Sequence, residues 1–121
     1  MLVKYKKTLE KIAMGLLSYM PQDKDVKKLK ETVQQYEKDE QWQLYLWRNE
    51  DEYVGTIGVI IKDDAAYVQH ITVLPSYRRE GVARQMLEEL KAQMQVDDVL
   101  PCQETEAFVQ KCKNLLEEAN C

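Results

Sequence analysis

Three stretches with strand chemistry lie almost end to end in this chain. In residues 42–47, Trp42, Leu44 and Leu46 alternate with Gln43, Tyr45 and Trp47, while residues 53–61 and 66–74 are dense in β-branched and aromatic side chains. Only the polar turns at 49–52 and 62–64 separate them. Connections this short cannot carry a chain back for parallel pairing, so the three runs must form an antiparallel meander. Gly55 and Gly58 in the middle run mark a bend or a close backbone approach.

The flanks follow a different period. Leu9, Ile12, Ala13, Leu16, Leu17 and Met20 recur at helical spacing and stop at Pro21. Asp23 is placed to cap a second helix with Val26, Leu29, Val33 and Tyr36 on one face. Residues 2–5 read as a short first strand. After residue 74 a basic turn leads to a helix with Val82, Met86, Leu87, Leu90 and Met94 inward. Residues 96–100 then form a short strand ended by Pro101, and Glu104 or Thr105 opens a last helix through Phe108 and Leu116. The predicted order is β-α-α-β-β-β-α-β-α in one domain over residues 1–121. The crossover helix makes the strands at 66–74 and 96–100 parallel, giving a mixed, mostly antiparallel α/β sheet.

Composition narrows the function classes. With 45% hydrophobic and 31% charged residues the chain is globular, and a net charge of -4 argues against a dedicated nucleic-acid binder. No apolar run approaches the roughly 20 residues that span a bilayer, and no apolar leader opens the chain, so no membrane association is expected. Cys102, Cys112 and Cys121 are odd in number and crowded towards one end, which is not a disulfide framework and suggests a reducing cytoplasm. With His70 as the lone histidine and no paired cysteines, no metal site is expected.

The segment from Val73 to Leu87 carries the chemistry. An apolar strand runs into Pro75-Ser76-Tyr77, then Arg78-Arg79-Glu80-Gly81-Val82-Ala83, then an apolar helix. A helix start leaves backbone N–H groups without internal partners, a ready site for phosphate. Gly81 lets an anion approach the backbone, Ala83 is small for the same reason, and Arg78, Arg79 and Arg84 add positive charge. Alone, Arg-x-x-Gly-x-Ala is commonly an ordinary helix start with solvated arginines; the elements around it give it weight.

This stretch resembles motif A of the GNAT acyltransferases, the acetyl-CoA-dependent N-acetyltransferases, and the element order extends the resemblance over nearly the whole chain. Within that superfamily the chain looks most like a small bacillar type encoded beside riboflavin-biosynthesis enzymes. The resemblance implies acetyl-CoA as cosubstrate and an amine as acceptor. The coenzyme's pyrophosphate would lie against Arg78, Arg79, Glu80, Gly81, Val82, Ala83 and Arg84. Its pantetheine arm would pair with the backbone of Ile71 and Val73, where the strand splays from its parallel neighbour. The Ile71 amide would stabilise the oxyanion.

The resemblance also has gaps. Val109 stands where family members often carry a tyrosine that reprotonates the thiolate, and valine donates no proton. Cys102 or Gln103 matches a position that is often Asn. The closing β-hairpin of the family has no room before Cys121, which would leave the 96–100 strand near a sheet edge for a second copy to cover as a homodimer. A CoA-binding regulatory module without efficient catalysis therefore competes with the enzyme reading. His70 has a suitable intrinsic pKa for a general base, with a packed or surface histidine as the alternative. Strict alternation puts Tyr67, Gln69, Ile71 and Val73 on one face and His70 on the other, unless a bulge intervenes. Gln69 is a candidate for orienting substrate. Trp42, Trp47, Tyr45 and Tyr53 could border an acceptor slot but suit strand packing, and the Glu50–Glu52 cluster and the lysines around Lys27 read as solvated.

Overall fold

The computed structural model describes residues 1–20, 25–63, 65–94 and 98–101. Five strands form one sheet in sequence order: β1 Leu2–Lys4, β2 Trp42–Asn49, β3 Glu52–Lys62, β4 Ala65–Val73 and β5 Asp98–Pro101. The first four are antiparallel neighbours, and β5 runs parallel to β4. Helices α1 Glu10–Leu17 and α2 Val26–Lys38 connect β1 to β2, and α3 Val82–Met94 makes the crossover from β4 to β5. This is the order expected from the sequence as far as β5. The last helix, Val109 and the three cysteines lie outside the described residues.

The sheet separates two apolar layers. On one face Val54, Ile57, Val59, Ala66, Val68, Ile71 and Val73 pack with Val82, Met86, Leu87 and Leu90 of α3. On the other, Leu44 and Leu46 meet Ala13, Leu16 and Leu17 of α1 and Leu29, Val33 and Tyr36 of α2. Each fully buried aliphatic side chain contributes about 1.5–3 kcal/mol relative to exposure.

Two helix-face expectations need correction. Ile12 is 40% and Val26 68% exposed. The α1 stripe narrows to Ala13, Leu16 and Leu17, and Val26 lies in the first turn of α2, beyond the packed stripe. The cap of α2 is Asp25, not Asp23: its carboxylate accepts from the Lys27 N–H at 2.9 Å. Asp25→Ala is expected to cost about 1 kcal/mol, read as a lowered urea midpoint at unchanged slope. Farther along α2, Glu37 accepts from the Tyr5 hydroxyl at 2.7 Å, tying the helix to the chain just after β1. Burial and that carboxylate push the Tyr5 phenol above its usual range.

Thr72 in β4 is buried, and its hydroxyl has no hydrogen-bond partner. Valine has nearly the same shape and no polar atom to strand. Thr72→Val is therefore expected to stabilise the protein by about 1 kcal/mol, seen as a higher melting temperature.

Candidate active site

The end of β4 and the start of α3 are joined by a turn whose backbone is unusual. Pro75–Tyr77 makes one short 3-10 turn, and the Tyr77 N–H closes on the Leu74 carbonyl at 2.9 Å. Arg79 and Gly81 then both take left-handed conformations, with φ of 70° and 80°. Left-handed residues alternating with an ordinary one turn successive N–H groups towards a common concavity, a backbone form that suits anions. The Gln85 N–H reaches the Gly81 carbonyl at 3.0 Å, so Gly81 caps α3. The amides of Val82, Ala83 and Arg84 head the helix with no carbonyl one turn back to receive them.

The three arginines divide their work. Arg84 folds back over the turn, its Nη2 only 3.7 Å from where a Cβ on Gly81 would sit. Its Nε is buried without a hydrogen-bond partner. An orphaned donor at a helix start is what a bound phosphate oxygen would satisfy. Arg78 instead donates from Nε to the Val73 carbonyl at 3.1 Å. Arg79 and Glu80 are exposed on the turn. Tyr77 fastens the turn to the first residue of β3 by donating to Glu52 at 2.6 Å, and that bond raises its phenol pKa. The acidic hairpin tip, read as solvated, thus supplies one structural tie.

β5 is described only as far as Pro101. Its parallel register with β4 runs from Ala65↔Asp98 to Val68↔Pro101, whereas β4 continues to Val73. The Leu74 N–H bonds the Val54 carbonyl at 2.8 Å, which fixes the phase of the ladder with β3. Counting back from that bonded pair, Val73↔Gly55 and Ile71↔Ile57 are non-bonded pairs. The N–H and C=O groups of Ile71 and Val73 therefore face away from β3. The bond from Arg78 to the Val73 carbonyl agrees with that direction. Both residues named for a coenzyme arm thus present backbone groups away from β3.

A bulge shifts the faces of β4. Gly58 pairs with His70 and Val59 with Val68, leaving Gln69 as the extra residue. As a result Ala66 and Val68 join Ile71 and Val73 on the α3 face, and Tyr67 is turned away from them, unlike the strict alternation above. His70 faces α2, where its Nδ1 lies 2.6 Å from the Tyr36 hydroxyl. The sequence reading took Tyr36 only as part of the core stripe. Gly58 signalled a close approach in the strand, but nothing local identified Tyr36 as the side chain that makes it.

A helix-flanked mixed sheet, antiparallel but for β5, with a left-handed turn between β4 and the crossover helix α3, has the arrangement of the acetyltransferase class of fold. The sequence profile of the Acetyltransferase (GNAT) family matches residues 9–115, and the chain belongs to that family. An uncharacterized N-acetyltransferase from the lysA 3' region of Bacillus methanolicus is 44% identical over 114 residues, covering 93% of this chain and 95% of that one. Among solved structures, AAC(6')-Iy with the bisubstrate analogue CoA-S-monomethyl-acetylneamine superposes with a TM-score of 0.79 at 16% identity, covering 96% of this chain and 88% of that one. The aminoglycoside 6'-N-acetyltransferase AAC(6')-IG of Acinetobacter haemolyticus gives 0.76 at 13% identity, over 93% and 86% of the two chains. At such identities the superpositions speak for the fold.

Proposed function

We propose that this chain transfers the acetyl group of acetyl-CoA to a primary amine of a small molecule or protein, by direct attack of the amine on the thioester. One observation carries the reading: the anion-ready turn at Gly81 and the outward backbone of Ile71 and Val73 lie at the same end of β4. A pyrophosphate on the turn leaves the pantetheine arm to run back along that edge. The structural relative AAC(6')-Iy has itself been seen with CoA.

In this reading the amine lone pair forms the new C–N bond while the carbonyl oxygen gains negative charge, stabilised by the Ile71 N–H. One such donor is worth roughly 3 kcal/mol in the transition state. The C–S bond then breaks, the amine's surplus proton passes to solvent, and CoA departs as thiolate, which takes up a proton. Gln69, set out of register at the bulge, orients the acceptor. The reaction belongs in the cytoplasm, where acetyl-CoA is made, and a homodimer through the β5 edge is its proposed assembly, tested by sedimentation at micromolar concentration.

Calorimetric titration with acetyl-CoA, followed by thiolate release measured with a chromogenic thiol reagent, tests the proposal. The amine panel covers aminoglycosides, polyamines, peptide N-termini and an aminopyrimidine of the flavin type. Binding with amine-dependent release is expected. Binding without release from any amine favours the regulatory CoA-binding module, and a melting temperature indifferent to millimolar coenzyme overturns both.

A further inference from the structure

Arg78 holds a place that a ligand of the proposed function would need. Its Nε donates to the Val73 carbonyl at 3.1 Å. That carbonyl belongs to the last residue of β4, and the pair Val73↔Gly55 is of the non-bonded kind, so the group points away from β3. The guanidinium therefore covers the outward edge of β4 at the end nearest the turn. Among the described residues no carboxylate pairs with it, and the side chain as a whole is exposed.

One neutral carbonyl is a modest anchor for a guanidinium. A phosphate offers more, because it takes two N–H groups of the planar fork at once and carries the opposite charge. The proposed place for such an anion is close by. Arg78 immediately precedes Arg79, the first left-handed residue of the turn. A pyrophosphate seated in that concavity would lie beside the root of the Arg78 side chain.

We infer that Arg78 is a specificity-determining residue: it occupies the Val73 carbonyl until a phosphate draws it away, and so makes the phosphates of the coenzyme a condition for seating its arm. An extended amide arm laid along a strand edge is held by main-chain hydrogen bonds, and outward carbonyls are its acceptors. The Nε–H of Arg78 stands in for an arm N–H at one of them. A thioester with the same arm and no phosphate must break that bond unaided. The inference rests on the acetyl-CoA reading above and adds to it a selection between acyl donors, for CoA thioesters and against neutral pantetheine thioesters.

S-acetylpantetheine and inorganic pyrophosphate divide the coenzyme into its two parts. Their binding to the full-length 15N-labelled protein is followed through the Ile71 and Val73 amide signals. In the wild type, saturating pyrophosphate is expected to tighten S-acetylpantetheine about fivefold, the scale of one hydrogen bond. Arg78→Met, similar in length but without a donor, should bind S-acetylpantetheine about fivefold more tightly than the wild type with no pyrophosphate present, and should gain little when pyrophosphate is added. An arginine that only contacts phosphate leaves S-acetylpantetheine affinity unchanged in Arg78→Met, as does a carbonyl that serves both donors through its two lone pairs. An arginine that only braces the turn lowers that affinity. Each of these results overturns the inference, as do uncoupled fragments in the wild type or coupling that persists in Arg78→Met. The wild-type coupling needs no variant, so it decides even where Arg78→Met fails to fold. Acetyl-CoA that does not bind the wild type strikes the acetyltransferase reading and this inference with it; acetyl-CoA that binds, beside uncoupled fragments, strikes this inference alone.

Discussion

Gly81→Asp is expected to lower acetyl-CoA affinity at least 100-fold, about 2.7 kcal/mol, with the protein still folded. Gly81 has a φ of 80°, and a Cβ there meets nothing nearer than Arg84 Nη2 at 3.7 Å. The fold therefore loses only the left-handed penalty of an L residue, on the order of 1–2 kcal/mol. The carboxylate would stand in the proposed pyrophosphate site, beside Arg84, the cation folded over the turn. Gly81→Asn separates the causes: it has similar shape and backbone strain without the charge, and should retain more affinity than Asp. Calorimetry with acetyl-CoA on both variants provides the measurement. Unchanged affinity in Gly81→Asp would remove the turn from the coenzyme site.

Gly58→Val is expected to be the most damaging single substitution for stability, by roughly 3 kcal/mol or more. The added Cβ would have to occupy the space of the Tyr36 phenol, which Trp42 confines from another direction. Relief requires α2 to lift from the sheet, opening the layer that holds Leu29 and Val33. The partner substitution supplies the check. In a Tyr36→Ala background the ring is gone, and Gly58→Val should cost far less than in the wild type. Denaturant midpoints for the four proteins of this cycle measure the coupling, and additivity would contradict the contact.

The meander, the crossover and the position of the basic turn were legible because each depends on local chemistry: short polar connections, β-branched runs, and a Gly between arginines ahead of an apolar helix. Less was visible where distant segments meet. Gln69 as a bulge carries no signature of its own, since the ladder with β3 decides which residue is left over. Tyr36 looks like any apolar stripe residue on α2 until the fold sets it over Gly58 and beside His70. The division among Arg78, Arg79 and Arg84 was likewise hidden, because three nearby cations look equivalent in a sequence and only the turn sends one to a carbonyl and another over the glycine. Val26 illustrates the converse: its helical phase suits the core stripe, but the first turn of α2 carries it past the packed layer.

The supernumerary residue in β4 makes spacing matter there as much as chemistry. A different side chain at position 69 alters one surface and leaves the rest of the ladder in step. Excision of the position would restore unbroken pairing with β3 and still leave Val68 and Ile71 on the α3 face. The imidazole and the outward amide of its neighbour would keep their present sides, so loss of this one residue should be tolerated, whereas a deletion on either side of the bulge would carry the strand out of step.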